Sequence, residues 1–261
     1  MKTILRMLAV GLVFACILAG TAIGQEKVVN VAAAADLSAA FKEVAADFEK
    51  QKGIEVKLSF GASGALTEQI ENGAPFDLFF SADMGYPQQL IAEGHASSAT
   101  FYRYAVGKLV LWALAGSPLD LDRLGMNALL DSSVQKIAIA NPQHAPYGRA
   151  AEAALKHTGM YERVSAKLVI GENIAQAAQF VDSGNAQIGF VALAHAMAPE
   201  MKGKGKYWLV PADDYPAIDQ GAVVLARSPH GKEAADFLEF IKTKQSSAIL
   251  QRYGFTVPET R

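Results

Sequence analysis

Hydrophobic and polar positions follow two different periods along the chain, one typical of strands and one typical of helices. Residues 28–32 are apolar apart from Asn30, which predicts a buried strand. Apolar residues then recur every three or four positions over 37–48, as they do on one face of a helix. Residues 56–60 alternate apolar and polar side chains, which predicts a second strand.

The same alternation of strand and helix continues to the end of the chain, which predicts an α/β fold with mainly parallel sheets. No low-complexity linker separates two independent domains, and the strand at 104–113 is expected to carry the chain into a second lobe. We therefore predict two interleaved lobes with a ligand cleft between them, lobe I from 25–104 plus 222–261 and lobe II from 105–221. The further strands are predicted at 77–81, 134–140, 167–170, 188–191 and 221–226, and the helices at 65–72, after Asp83, and at 149–157, 175–182, 231–244 and 246–253.

The first 24 residues have the layout of a secretory signal peptide. Lys2 and Arg6 precede an apolar run at 7–20, which is shorter than the roughly 20 residues of a membrane span, and small residues follow. We expect cleavage near Gly24 and export to the periplasm. Lipidation of Cys16 is the less favoured alternative, and without residues 1–24 the chain has no cysteine for a disulfide or a thiolate metal site.

The charge excludes two classes of partner. The formal net charge is −2, and loss of the two basic residues in the signal peptide makes it −4. An acidic protein gains no long-range attraction to nucleic acid or to anionic membranes, so we expect neither as a partner.

Four loops that each join a strand to a helix carry the candidate chemistry, at 33–38, 61–64, 145–148 and 172–175. None contains Lys, and the only basic side chain nearby is that of Arg149. Such loops offer backbone N–H groups, small hydroxyls and the positive ends of helix dipoles, which together favour a small anion. In the third loop Pro146 lacks an N–H, so Tyr147 and Gly148 supply the next free donors.

Ser63 allows two interpretations. It lies between Gly61 and Ala65 on a strand-to-helix turn, as the nucleophile of a secreted serine hydrolase would. The sequence offers no evident acid and His to complete a triad, so we favour a hydroxyl that donates to an anion, with a plain helix cap as the simpler role. His144 is expected to be a loop residue, and the histidines have no spacing that predicts a metal site.

Five segments together resemble the periplasmic molybdate-binding proteins of ABC importers, which are type II periplasmic binding proteins. The segments are AAAADL (32–37), GAPFDLFFSAD (73–83), AIANPQHAPYG (138–148), GFVALA (189–194) and RYGF (252–255). The resemblance implies two lobes that close on molybdate, and also on tungstate, through neutral hydrogen bonds. It further implies delivery to an ABC permease, a monomer, no catalysis, no cofactor, and molybdenum bound only as its oxyanion. The contacts it implies come from Ala35, Asp36, Ser63 and the backbone N–H groups of Tyr147 and Ile174.

Two positions depart from the family pattern. Ala192 stands where some members have a Tyr hydroxyl, and Asp36 stands where neutral donors are usual. A carboxylate repels a dianion in a dry cleft, so three interpretations of Asp36 stay open. It caps its own helix, which we favour; or it is protonated and donates; or it accepts a proton from an anion of the phosphate or arsenate type. Sulfate or phosphate binding is therefore an alternative, whereas the small loops disfavour an organic anion.

Overall fold

The computed structural model describes residues 27–258. The predicted signal peptide, its cleavage near Gly24 and the lipidation of Cys16 therefore lie outside the described residues. No helix within 27–258 has both the length and the apolar character that crossing a membrane requires.

Ten strands form two five-stranded sheets, with the strand orders β2-β1-β3-β10-β4 and β7-β6-β8-β5-β9. In each sheet the first three strands are parallel and the fourth strand runs antiparallel to both of its neighbours. The strands are β1 (Val28–Ala34), β2 (Glu55–Gly61), β3 (Leu78–Ser81), β4 (Tyr102–Gly107), β5 (Leu109–Leu114), β6 (Ile137–Ala140), β7 (Leu168–Gly171), β8 (Ile188–Ala192), β9 (Gly205–Leu209) and β10 (Ile218–Val224).

Helices flank both sheets, and the predicted fold class is confirmed. Short 3-10 turns supplement them, of which Ala35–Leu37 directly precedes the first helix. The helices are α1 (Ser38–Lys52), α2 (Ser63–Glu71), α3 (Gly85–Ala92), α4 (Leu121–Leu124), α5 (Pro146–His157), α6 (Tyr161–Val164), α7 (Ile174–Asp182), α8 (Leu193–Met197), α9 (Gly231–Ile241) and α10 (Lys244–Arg252).

The chain passes between the sheets twice. The single strand predicted at 104–113 is in fact two strands, β4 in the first sheet and β5 in the second, with Lys108 between them. The chain returns after β9 and enters the first sheet with β10, which lies between β3 and β4. We define lobe I by the first sheet and lobe II by the second. The predicted lobe boundaries at 104 and 222 lie within β4 and β10, and stay predictions.

An aromatic cluster joins the two ends of the chain in lobe I. Phe41 on α1 meets the Phe80 ring of β3 edge to face, with ring centroids 4.8 Å apart. Phe237 on α9 packs against both rings, at centroid distances of 6.3 and 6.1 Å. Burial of these large rings gives lobe I a core that needs the C-terminal helices as well as the N-terminal strands.

Candidate functional site

All five residues predicted to bind the anion line one small cavity between the lobes. Ala35, Asp36 and Ser63 lie on its lobe I side, and Tyr147 and Ile174 lie on its lobe II side. Its volume is about 10 Å³, far less than the roughly 300–1,000 Å³ of sites for drug-sized ligands. The structure thus brings these residues together, and their contacts with an anion stay a prediction.

Ser63 is the first residue of α2, rather than the residue before the helix. Its side chain is buried, and its Oγ accepts a hydrogen bond from the backbone N–H of Ala82 at 2.9 Å. Because a hydroxyl has one hydrogen to donate and Oγ is here an acceptor, that hydrogen remains available for a ligand in the cavity. Ser63 thus has a backbone N–H as its partner, and not the His of a catalytic triad.

Asp36 lies inside the 3-10 turn, where its carboxylate is almost fully buried. Its Oδ2 accepts a hydrogen bond from Nε2 of Gln220 at 2.6 Å. Within the described part of the chain Oδ1 has no hydrogen-bond partner. Burial raises the pKa of Asp36 to about 6, although the polar groups of Gln220, of Tyr147 and of its own backbone oppose the rise.

The favoured interpretation of Asp36 as a helix cap is wrong. The side chain makes no capping bond to the 3-10 turn or to α1. The physical reason is its position, because a residue inside the turn is no longer at the capping position ahead of it. The carboxylate points instead toward Gln220.

Gln220 is a site residue that the sequence reasoning missed. It is fully buried on β10, where its Oε1 accepts a hydrogen bond from the Tyr104 hydroxyl at 2.7 Å and its Nε2 lies 3.4 Å from the Tyr147 hydroxyl. A Cβ atom on Gly107 would lie 2.1 Å from that same hydroxyl, so glycine is required there. A Gln directly before the apolar run 221–226 was the signal that could have identified it.

The third loop presents one backbone donor rather than the expected two. Ala145 is extended before Pro146, as the proline requires, and Pro146 is the first residue of α5. The N–H of Gly148 donates to the carbonyl of Ala145 at 2.9 Å, whereas none of the hydrogen bonds recorded within 27–258 uses the N–H of Tyr147. The open donor of this helix start is therefore that of Tyr147.

The fourth loop presents its donor in a similar way. Asn173 caps α7, and its Oδ1 accepts from the N–H groups of Ala175 and Gln176 at 3.0 and 3.1 Å. The N–H of Ile174 makes no recorded hydrogen bond to any described residue. Capping thus satisfies the neighbours and leaves Ile174 available to a ligand.

The lobes contact each other around the cavity. The N–H of Gly64 in lobe I donates to the carbonyl of His144 in lobe II at 2.8 Å. Arg149 of lobe II pairs with Asp83 and donates to the Tyr86 hydroxyl at 3.2 Å, both in lobe I. The basic side chain nearest the loops thus lies at the rim, and residues 27–258 include no cluster of His, Cys, Asp and Glu that could hold a metal ion.

Comparison with known proteins agrees with this arrangement of two lobes. The sequence profile of the bacterial extracellular solute-binding proteins matches residues 29–256, and the chain belongs to this family, which binds solutes and does not catalyse reactions.

Individual relatives within this family are named for one particular solute. The chain is 40% identical to the molybdate-binding protein ModA of Rhodobacter capsulatus over 87% of each chain. It is also 40% identical to ModA of Azotobacter vinelandii, over 87% of this chain and 89% of that one. The solved periplasmic molybdate-binding protein of Azotobacter vinelandii superposes with a TM-score of 0.83 and 35% identity, covering 88% of this chain and all of the other. The predicted resemblance to this family is confirmed.

Proposed function

We propose that the protein captures molybdate in the periplasm and delivers it to an ABC permease. Tungstate has the same charge and shape, so we include it as a second ligand. The proposed contacts come from Ala35, Asp36, Ser63, Tyr147 and Ile174, all of which line the cavity. We further propose that the protein acts as a monomer without a cofactor, and that the lobes close on the anion by a hinge motion.

The observation that carries the proposal is the convergence of neutral donors on one small cavity. The open N–H groups of Tyr147 and Ile174 belong to the first turns of α5 and α7, and Ser63 begins α2. First-turn N–H groups and the positive ends of helix dipoles stabilise negative charge. No Lys or Arg is among the described residues that line the cavity, so hydrogen bonds rather than ion pairs would hold the anion.

The relatives support the choice of anion. The ModA proteins of Rhodobacter capsulatus and Azotobacter vinelandii are named for molybdate, and they align with this chain over most of its length. A solved sulfate-binding protein of Mycobacterium tuberculosis shares the fold at 19% identity, which supports the architecture only.

Thermal unfolding of the exported chain tests the proposal. A ligand at about 100 times its Kd stabilises the folded state by about 2.7 kcal/mol, which raises Tm by roughly 5–10 °C in a protein of this size. We expect molybdate and tungstate to give this shift, and equal concentrations of sulfate and phosphate to give little. A shift with sulfate or phosphate alone would contradict the assignment of molybdate.

A further inference from the structure

We propose that the protein binds its anion together with one proton, which the Asp36 carboxyl group shares with the bound oxyanion. This inference rests on the proposed function, because it concerns the same cavity. It makes Asp36 a determinant of how anion affinity depends on pH.

The geometry of Asp36 leaves one oxygen for such a proton. The Oδ2 atom is occupied by Gln220, whereas Oδ1 is buried and has no partner within 27–258. A buried carboxylate oxygen without a hydrogen bond is costly, and it repels a dianion in the same cavity. A proton placed between Oδ1 and an anion oxygen replaces this repulsion by a short, charge-assisted hydrogen bond.

No positive side chain near the cavity offsets the repulsion between the Asp36 carboxylate and a bound dianion. Asp36 is the one charged side chain among the described residues that line the cavity. The guanidinium of Arg149 is engaged at the rim by Asp83. Burial is the largest cause of the raised pKa of Asp36, which is about 6 in the ligand-free protein. A dianion within the same cavity raises it further, so that the carboxyl group of the complex keeps its proton at neutral and mildly alkaline pH.

The neighbouring titratable groups keep one charge state at neutral and mildly alkaline pH. Burial and the charge of Asp36 raise the pKa values of Tyr104 on β4 and Tyr147 on α5 well above 10, so both stay neutral. His195 on α8 faces the start of α1, and burial lowers its pKa to about 4. Burial also raises the pKa of Tyr215, which precedes β10. Gln220 carries no titratable group.

Two pairs of side chains join the lobes beside the cavity. One joins Arg149 to Asp83, and in the other Nδ1 of His144 lies 3.6 Å from Glu68. The side chain of His144 does not line the cavity, so a variant at this position is a control for the variant of Asp36.

Calorimetric titration with molybdate between pH 7 and 8.5 measures the linked proton directly. Molybdate stays a dianion over this range, so the ligand itself contributes no protonation change. We expect Kd to rise about tenfold per pH unit, as linkage to one proton requires. Titrations in HEPES and in Tris, whose ionisation enthalpies differ, should report uptake of about one proton per anion.

The variant Asp36→Asn tests the assignment to this residue. It has no carboxyl group to protonate, so we expect a Kd that is independent of pH, no proton uptake, and binding at pH 8 at least as tight as that of the wild type. The control His144→Gln should keep the wild-type slope. A slope that persists in Asp36→Asn, or one lost in His144→Gln, would overturn the proposal.

Three outcomes separate the two proposals. A flat Kd without proton uptake in the wild type contradicts the shared proton while leaving molybdate binding intact. If Asp36→Asn does not fold, as judged by circular dichroism, the proton count of the wild type still decides. If molybdate does not bind, the proposed function is wrong, and the proton count is then measured with whichever of tungstate, sulfate or phosphate raises Tm, at pH 8.5 for phosphate so that this ligand is also a dianion.

Discussion

The two sides of the cavity offer an anion different kinds of groups. Lobe I contributes the side chains of Asp36 and Ser63, whereas lobe II contributes the backbone N–H groups of Tyr147 and Ile174. A peptide N–H can only donate, so the lobe II side responds to charge and shape. A hydroxyl and a carboxyl can donate or accept, so only lobe I can distinguish the protonation states of an anion.

The largest expected effect comes from removing the one carboxyl group on the lobe I side of the cavity, so that neither side carries a charge. In the ligand-free protein burial raises the pKa of Asp36 from 3.8 to about 6. A carboxyl group whose pKa is higher in the folded than in the unfolded protein lowers the free energy of unfolding as pH rises. For Asp36 this loss begins near pH 4 and is nearly complete above pH 6. Two pKa units correspond to about 3 kcal/mol. We expect ligand-free Asp36→Asn to exceed the wild type in free energy of unfolding by up to ~3 kcal/mol at pH 8, with no difference at pH 4.

Urea unfolding at the two pH values measures this difference. Burial also lowers the pKa of His195 to about 4. Its contribution to the free energy of unfolding therefore falls as pH falls, but by the same amount in both proteins. Asp77 is the control because it is also buried in lobe I and both of its oxygens accept hydrogen bonds, from Asn30 and Ser228. Asp77→Asn should therefore destabilise the protein at pH 8. If Asp36→Asn is less stable than the wild type at pH 8, the hydrogen bonds of the carboxylate offset the cost of burying its charge, and this expectation is wrong.

The next effect concerns the hydroxyl on the lobe I side. Ser63→Ala removes one proposed donor to the anion and also leaves the N–H of Ala82 without its acceptor. We expect anion affinity to fall by about 1–3 kcal/mol, measured by calorimetry. Ser38→Ala is a matched control because Ser38 also begins a helix but does not line the cavity. Unchanged affinity in Ser63→Ala would reduce Ser63 to a structural role.

The smallest effect concerns the rim, where the lobes meet through side chains. Arg149→Met removes the pair with Asp83 across the cleft but keeps an apolar stem of similar length. Both partners are partly exposed, so we expect affinity to fall by about 0.2–1 kcal/mol, and by less at high salt. Arg123→Met removes a pair within lobe II, with Asp120, and should leave affinity unchanged. Equal losses in both variants would show that closure does not depend on this contact.

Much of the fold could be predicted because periodic patterns report burial. The apolar face at 37–48 lies in α1 with its core residues buried, and the four strand-to-helix loops meet at one cavity. The division of 104–113 into two strands was missed, since both halves are apolar and only their partners differ. Gln220 was missed for a related reason, because its contacts with Asp36 and Tyr104 come from chain segments far apart in sequence.

The position of β10 also determines when lobe I can be completed during synthesis. This strand lies between β3 and β4, yet the ribosome makes it after the whole of lobe II. Pairings between such distant segments form slowly because a long loop must close before any contact is gained. The nascent chain therefore lacks an interior strand of its first sheet, together with Gln220, until nearly all of it has been translated. The hydrogen bond from Gln220 to the Asp36 carboxylate therefore forms only after that last strand is in place.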